Sequence, residues 1–184
     1  LERATGLSVQ LENAANACAL AELWSGRHSE GVRNLAVVTV SEGIGVGMII
    51  NGQLVKGSAG VAGEFGHVSL VENGIQCRCG NQGCWETLAS NFAAVRYYTE
   101  STSHRKGEVG SKSDMARITF DDLLRLVEQG DAKAQRALNQ MAQHLGAGLA
   151  MLISGLAPDV LVVVGEITRA WERVGPVVDS AVKS

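Results

Sequence analysis

The amino-acid sequence predicts an α/β fold in which a mixed sheet is flanked by helices. Two runs of apolar residues, 35–40 and 160–164, have the length and composition of buried strands. A glycine-rich turn at 41–47 and the dipeptide Asn51-Gly52 separate short apolar runs, which indicates a meander. Because helical segments lie between this meander and the last apolar run, the sheet should contain both antiparallel and parallel pairs.

The predicted strands are short and end at turn residues. Val9 and Leu11 alternate with polar neighbours, which is typical of a strand with one face in solvent. The later strands are mainly apolar and so should lie in the middle of the fold. In chain order, strands are predicted at 8–12, 35–40, 48–50, 53–55 and 160–164.

The predicted helices begin at residues that cap helix N-termini. Asn13, Thr119 and Asp131 each precede a helical segment, and such side chains accept hydrogen bonds from the free amides of the first turn. Asp122 follows Thr119 by three residues, as in a capping box. The polar segment 100–115 is predicted to be a mobile loop. In chain order, helices are predicted at 14–25, 85–98, 120–128, 131–156 and from Pro176 onwards.

Charge and composition exclude several classes of function. The chain of 184 residues has a formal net charge of −3, whereas a nucleic-acid-binding surface needs clustered Lys and Arg side chains. No apolar run reaches the roughly 18 residues of a transmembrane helix. We therefore expect a cytoplasmic protein with no membrane partner. Since the chain has no initiator Met, we expect it to be part of a longer protein.

Three of the four cysteines lie close together, at positions 77, 79 and 84. The glycines between them allow a turn tight enough to direct all three sulfurs at one centre. Three thiolates need one further ligand to complete a tetrahedral Zn²⁺ shell, and His67 lies ten residues upstream. The sequence therefore predicts a zinc site formed by His67, Cys77, Cys79 and Cys84.

Two other interpretations of these cysteines are weaker. A disulfide framework is not favoured, because no signal peptide precedes the cluster and three thiols cannot all pair with one another. Burial as small apolar side chains does not explain why Arg78 and Asn81 are interleaved with them. Cys18 lies apart in an apolar helical segment and is predicted to be a core residue.

The segment 63–67, with sequence Gly-Glu-Phe-Gly-His, and the cysteine segment 77–86 together resemble the signature of the ROK family. This family comprises sugar kinases and sugar-responsive transcriptional repressors with the actin-like ATPase (ribonuclease H-like) fold. Residues 12–17 are similar to the family's sugar-site segment, and 43–47 to its second phosphate loop. Residues 162–165 are similar to the strand end that contacts the nucleotide.

The resemblance implies that Asn13, Glu64, His67 and Glu86 hydrogen-bond sugar hydroxyls, while His67 also ligates zinc. A metal-bound imidazole is rigidly oriented, and its second nitrogen is free to donate a hydrogen bond. The residues by themselves also fit simpler roles: Asn13 suits a plain helix N-cap, and Glu64 suits a solvated loop carboxylate.

The resemblance also implies how the whole protein is organised. Residues 1–34 would be the end of the smaller α/β lobe. Residues 35–184 would be the larger lobe, which contains the zinc loop and is truncated at its C-terminus. A regulator of this family binds DNA through an N-terminal helix-turn-helix domain, absent from this chain, and is expected to be a homo-oligomer.

The sequence departs from the pattern of the family's kinases in three places. Ala14 occupies the position of the Asp that serves as general base, and a methyl group cannot accept a proton. Glu42 lies in the phosphate loop, where a carboxylate pointing inward would repel ATP. Glu166 and Ile167 follow Gly165 where the kinases have further glycines. We therefore assign no catalytic residue and predict a sugar-sensing domain of a ROK-type transcriptional regulator.

Two alternatives remain open from the sequence. The first is an active ROK kinase that phosphorylates a hexose or an N-acetylhexosamine with ATP, in which Glu42 would point outward to solvent. The second is a zinc-dependent interaction module with no small ligand. Arg78 and Arg96 could serve a phosphorylated ligand, but both fit the role of solvated arginines equally well.

Overall fold

A computed structural model describes residues 1–26, 28, 31–102 and 118–184 of the chain. The strands are β1 (Leu35–Val40), β2 (Ile44–Ile50), β3 (Gln53–Leu54) and β4 (Val160–Gly165). The α-helices are α1 (Glu2–Thr5), α2 (Ala14–Ser25), α3 (Trp85–Ala89), α4 (Asn91–Thr102), α5 (Phe120–Glu128), α6 (Ala132–Leu156) and α7 (Trp171–Val182). Short 3-10 helices span Glu64–His67 and Glu166–Ala170.

The four strands form one mixed sheet in the order β3-β2-β1-β4, which confirms the predicted α/β class. β1 pairs antiparallel with β2 and parallel with β4, so Val38 lies beside Val46 on one side and Val163 on the other. Because β1 and β4 are parallel, their carboxyl ends meet at one edge of the sheet. Ligands of open α/β sheets bind at such edges.

Helices cover both faces of the sheet, and side chains alternate between them. Leu35 and Val37 pack with Ala19 of α2 in a smaller apolar cluster. Val38 and Val40 point to the other face and join the main core, which includes residues of α3, α4, α5, α6 and α7. This period of two is the one expected for a strand buried on both faces.

Glycines let α2 lie unusually close to β2. A Cβ atom at Gly47 would lie 2.2 Å from the backbone oxygen of Ala15, and one at Gly45 would lie 3.0 Å from the Ala15 Cβ. These glycines are therefore strand residues under a helix. Because Ile44 and Gly45 already pair with β1, β2 begins at Ile44, and the turn predicted at 41–47 ends earlier than the sequence indicated.

Several predicted elements differ from the structure. No strand forms at 8–12, since this exposed segment has no neighbouring strand to pair with in the described part of the chain, whereas a short helix forms at Glu2–Thr5. The helix predicted at 85–98 is interrupted at Ser90, where the backbone is extended. The last helix begins at Trp171 and contains Pro176 within it.

Two further expectations concern the predicted loop at 100–115 and the lack of a transmembrane helix. Of the predicted loop 100–115, residues 100–102 belong to α4 and the rest lies outside the described residues. Within the described part of the chain, no helix is both long and apolar enough to cross a lipid bilayer.

The close approach of α2 to β2 gives a stability test. Gly47→Ala should destabilise the fold by about 1–3 kcal/mol, because the added methyl group collides with helix backbone that cannot move aside cheaply. Urea unfolding followed by circular dichroism measures this. Gly155→Ala is the matched control, since a Cβ there meets no described atom within 4 Å and alanine favours the α6 helix. Equal stability of the two variants would contradict the packing argument.

Candidate functional site

The structure brings the four predicted metal ligands into one cluster. His67 ends the 3-10 helix Glu64–His67, Cys77 and Cys79 lie in the following loop, and Cys84 is the residue before α3. The ligand atoms of these four side chains all lie within 4.8 Å of one another, and they form the only group of this kind among the described residues.

The spacing of the donor atoms fits a tetrahedral ion. The Nδ1 atom of His67 lies 3.6 Å from the sulfur of Cys77, and the sulfurs of Cys79 and Cys84 are also 3.6 Å apart. Zinc–sulfur bonds of about 2.3 Å in tetrahedral geometry place two sulfurs about 3.8 Å apart. One ion with thiolate and imidazole ligands could therefore be held here with little movement of the loop.

Backbone geometry shapes the cysteine loop before any ion binds. The amide of Cys77 donates to the Asn81 oxygen at 2.8 Å, and the Gly80 amide donates back to the Cys77 oxygen at 3.1 Å. Gly83 has a φ of +67°, and a Cβ there would lie 1.9 Å from the Val71 oxygen. Glycine is therefore required at position 83 by both backbone angle and space.

The environments of the thiols differ. Burial, together with the neighbouring sulfurs of Cys79 and Cys77, raises the pKa of Cys84 to about 12. The backbone amide of Asn81 hydrogen-bonds Cys79 and lowers its pKa. A bound cation would stabilise the Cys84 thiolate, which burial alone disfavours, since metal ligation by cysteine requires loss of the thiol proton.

The tryptophan beside Cys84 anchors the loop in the core. The Trp85 side chain is fully buried, and its Nε1 donates to the backbone oxygen of His144 in α6 at 2.9 Å. A Cβ at Gly148 would lie 1.9 Å from the indole, so α6 leaves a gap for the ring at this glycine. The Trp85 amide donates to the Val68 oxygen at 2.9 Å, which joins α3 to the chain after His67.

His67 presents its two nitrogens to different partners. While Nδ1 faces the cysteines, Nε2 lies 3.7 Å from the Oε2 of Glu64. Gly63 and Gly66 allow this turn to lie against β2, because Cβ atoms at either position would come within 2.3 Å of strand carbonyl oxygens. The Glu64 carboxylate is more than half exposed and is free to accept a hydrogen bond from a ligand.

Glu86 connects the metal loop to the end of the first strand. Its Oε2 accepts a hydrogen bond from the Ile44 amide at 3.1 Å, and a Cβ at Gly43 would lie 2.4 Å from the same oxygen. The second carboxylate oxygen has no hydrogen bond among the described residues. Glu64, His67 and Glu86 are thus held by one loop and by the first turn of α3.

Asn13 acts as the N-cap of α2, as one of the sequence interpretations expected. Its Oδ1 accepts from the amides of Ala15 and Asn16 at 2.8 and 3.4 Å. The Nδ2 group makes no hydrogen bond within the described part of the chain. Asn13 also has no hydrogen bond to Glu64, His67 or Glu86 there, so helix packing alone sets its position relative to them.

A polar group formed by Glu12, Asn16 and Lys56 surrounds this cap and was not predicted from the sequence. Glu12 accepts hydrogen bonds from the Asn16 side chain at 3.0 Å and from the ammonium group of Lys56. These bonds, with Lys56 as the largest contribution, lower the pKa of Glu12 to about 2. Asn16 is 4% exposed. A polar amide within an otherwise apolar helical segment was the sequence signal that could have indicated this group.

Three of the residues that depart from the kinase pattern, Ala14, Glu42 and Glu166, lie at two places in the structure. Ala14 is the exposed first residue of α2. Glu42 and Glu166 line one cavity of about 400 Å³, here called the strand-end cavity, next to the carboxyl ends of β1 and β4. Asn91, Phe92 and Asp121 also line this cavity. Glu42 was expected to lie in a nucleotide site, and it does line a cavity, although its side chain is exposed.

The two arginines considered for a phosphorylated ligand differ in environment. Arg96 is largely buried, with its guanidinium 4.8 Å from the Tyr97 ring centroid and its Nε 3.6 Å from Glu100. Arg78 is exposed. Two nitrogens of the Arg96 guanidinium, Nε and Nη2, are buried without a hydrogen-bond partner in the described part of the chain.

Comparison with known proteins gives two kinds of relative. The family model of the ROK family matches residues 1–184. A glucokinase of Halalkalibacterium halodurans is 35% identical over 175 residues, which cover 94% of this chain and 53% of that protein. The xylose repressor of Bacillus subtilis is 32% identical over 166 residues, covering 90% of this chain and 40% of the repressor.

A solved structure shows the same architecture. The crystal structure of a ROK family glucokinase from Streptomyces griseus in complex with glucose and AMPPNP superposes with a TM-score of 0.82 at 34% identity. The match covers 98% of this chain and 59% of that one. The chain thus spans about half the length of the glucokinases that it matches.

The cysteine cluster predicts metal binding that depends on named thiols. We expect the protein to retain one equivalent of a metal ion through gel filtration, and Cys79→Ser to lose most of it, because one thiolate of the four-ligand shell is removed. Elemental analysis by mass spectrometry measures this. Cys18→Ser, outside the cluster, is the control and should keep the ion. Metal content that is unchanged in Cys79→Ser would contradict the proposed ligand set.

Proposed function

Because the chain belongs to the ROK family and has the actin-like fold of its members, we propose that it is the sugar-sensing region of a transcriptional regulator. In this proposal the chain binds a sugar effector and does not transfer a phosphoryl group. The observation that carries the proposal is Ala14, which replaces the general base of the kinases that the chain resembles. Base catalysis typically contributes about 10²–10⁴-fold to a rate.

The surroundings of Ala14 offer no good replacement base among the described residues. Glu12 is the nearest carboxylate in sequence, but it is engaged by Lys56 and Asn16, and its pKa of about 2 makes it a weak proton acceptor. Asn13 and Asn16 carry neutral amides, which do not accept a proton at neutral pH. These properties support loss of the chemical step.

The strand-end cavity supports the same conclusion from the nucleotide side. It lies where the resemblance puts ATP, and its lining includes the carboxylates of Glu42, Asp121 and Glu166. Like charges a few ångströms apart near a protein surface repel by about 1 kcal/mol or more. Among the described lining residues there is no Lys, Arg or His to offset this repulsion of the nucleotide phosphates, and Arg169, outside the lining, compensates Asp121 but neither glutamate.

The sugar would be bound by the groups around the metal loop. Glu64 and Glu86 each have a carboxylate oxygen with no hydrogen bond to any described residue, which can accept from a hydroxyl, and His67 Nε2 can donate to one. The donor set of three thiols and one imidazole suits Zn²⁺. When bound, zinc would hold the imidazole ring in one orientation, with its Nε2 proton directed away from the metal. Asn13 would complete the set through its Nδ2 group.

The remaining parts of the proposal concern the longer protein. Residues 1–34 would belong to the smaller lobe and residues 35–184 to the larger lobe. DNA would be bound by a helix-turn-helix domain outside this chain, in an oligomer. A sugar that makes better contacts in one closure angle of the lobes would shift the population toward that angle, and so change the spacing of the DNA-binding heads. The similarity to a xylose repressor supports this arrangement.

The alternative function is an active sugar kinase. It is favoured by the 35% identity to the Halalkalibacterium halodurans glucokinase and by the match to a glucokinase structure. An active enzyme would need a base from a part of the protein outside this chain. Turnover measurements separate the two functions.

A sugar panel gives the first test of function. We expect the full-length protein to bind at least one of glucose, N-acetylglucosamine and xylose by calorimetry, and to release no ADP above background with that sugar and ATP. Glu86→Gln should weaken the binding about tenfold or more, because a charged acceptor for a sugar hydroxyl is lost. Glu72→Gln, an exposed loop residue, is the matched control. ADP release that depends on the sugar would establish the kinase instead.

Restoring the base gives the second test. Ala14→Asp alone should not produce efficient phosphorylation, because Glu42 and Glu166 still oppose the ATP phosphates. Combining it with Glu42→Thr and Glu166→Gly should give more activity than the single variant. The coupled ADP assay measures both, and calorimetry checks that each variant still binds its sugar. Efficient turnover by the single variant would refute the argument about the nucleotide side.

A further inference from the structure

The strand-end cavity has the features of a ligand site in its own right. Its volume of about 400 Å³ lies in the range of small-molecule sites. It is next to the carboxyl ends of the parallel strands β1 and β4, where ligands of α/β sheets bind. Phe92, which is half exposed, and Phe120 supply apolar surface to its wall.

The charge of this cavity is negative after its internal contacts are counted. Asp121 is paired with Arg169, so its charge is largely compensated. Glu166 accepts a hydrogen bond from the Asn91 Nδ2 at 2.8 Å but has no cationic partner among the residues that the structure describes. Glu42 has neither a hydrogen bond nor an ion pair within the described part of the chain. Two carboxylates thus remain without a positive partner.

The N-termini of α4 and α5 lie beside the cavity, and they do not make it a site for anions. Free amides at a helix N-terminus attract anions. Here the Ala93 amide in the first turn of α4 donates to Ser90 Oγ at 3.3 Å. At the start of α5, the Asp122 amide donates to Thr119 Oγ at 3.1 Å, within a capping box. At each of these helix ends, one first-turn amide is therefore already bonded to a side chain of the protein.

Asn91 provides an independent indication of a missing donor. It lines the cavity and is 8% exposed, and its Oδ1 is buried without a hydrogen-bond partner in the described part of the chain. Exchanging the amide oxygen and nitrogen would not solve this, because Nδ2 already donates to Glu166. A buried acceptor without a donor costs free energy, so the site is suited to a group that brings N–H bonds.

We propose that the strand-end cavity binds a small organic amine in its ammonium form. The ammonium group would lie between Glu42 and Glu166 and donate to the Asn91 carbonyl, while an apolar body packs on the two phenylalanines. A metal ion fits less well, since the acidic side chains here do not converge into a metal-binding group among the described residues. The proposal concerns a site separate from the metal loop and does not depend on sugar binding.

A matched pair of probes tests the charge requirement. 2-Phenylethylamine and 2-phenylethanol share an apolar body and differ in the ammonium group. Titrated into the full-length protein by calorimetry, the amine should bind at least about tenfold more tightly, since hydrogen bonds to charged groups contribute that much. Equal affinities, or no binding of 2-phenylethylamine or spermidine at millimolar concentration, would overturn the proposal. Tighter binding of ATP than of either amine would also overturn it.

A charge-neutral double variant locates the site. Glu42→Gln with Glu166→Gln should weaken 2-phenylethylamine binding about tenfold or more, while the glutamine at 166 can still accept from Asn91. Glu128→Gln, an exposed residue at the end of α5, makes the same kind of change elsewhere and should leave the affinity unaltered. Unchanged affinity in the double variant, or an equal loss in the control, would show that the amine binds elsewhere. Sugar affinity of the double variant, measured in parallel, keeps this test separate from the proposed sugar function.

Discussion

The buried indole of Trp85 is the contact on which the arrangement of the site depends. It lies between a metal-ligand candidate, Cys84, and a candidate sugar ligand, Glu86, and it inserts into α6 at Gly148. Full burial of a large aromatic side chain, with its N–H satisfied by the His144 oxygen, makes this anchor difficult to displace. The direction of α3, and therefore of the two flanking side chains, follows from it.

A second set of short contacts joins the metal loop to the sheet. Glu86 accepts the Ile44 amide, and Gly63 and Gly66 let the 3-10 turn lie on the carbonyl groups of β2. The residue before this junction, Gly43, follows Glu42 of the strand-end cavity directly in sequence. One turn after β1 therefore borders both the metal loop and the cavity.

In the proposed function, the two sites differ in how far they keep the chemistry of the family's kinases. Around the metal loop, the candidate ligand atoms are grouped and each proposed sugar contact has a free donor or acceptor. At the strand-end cavity, carboxylates occupy the lining that a nucleotide would need. Sugar binding needs only hydrogen bonds, whereas phosphoryl transfer also needs a base and a site that tolerates several negative charges. Loss of the second with retention of the first is therefore physically consistent.

Local patterns in the sequence were sufficient for the α/β class, the helix caps at Thr119 and Asp131, and the grouping of the cysteine cluster, because each depends on residues a few positions apart. Tertiary structure decided the rest. Gly45 and Gly47 belong to a strand because β2 pairs with β1, and glycine is needed there because α2 lies against them. Residues 8–12 do not form a strand because they have no pairing partner among the described residues. The Glu12–Lys56 pair and the shared cavity of Glu42 and Glu166 join positions 44 and 124 residues apart, and no periodicity or spacing in the chain encodes such contacts.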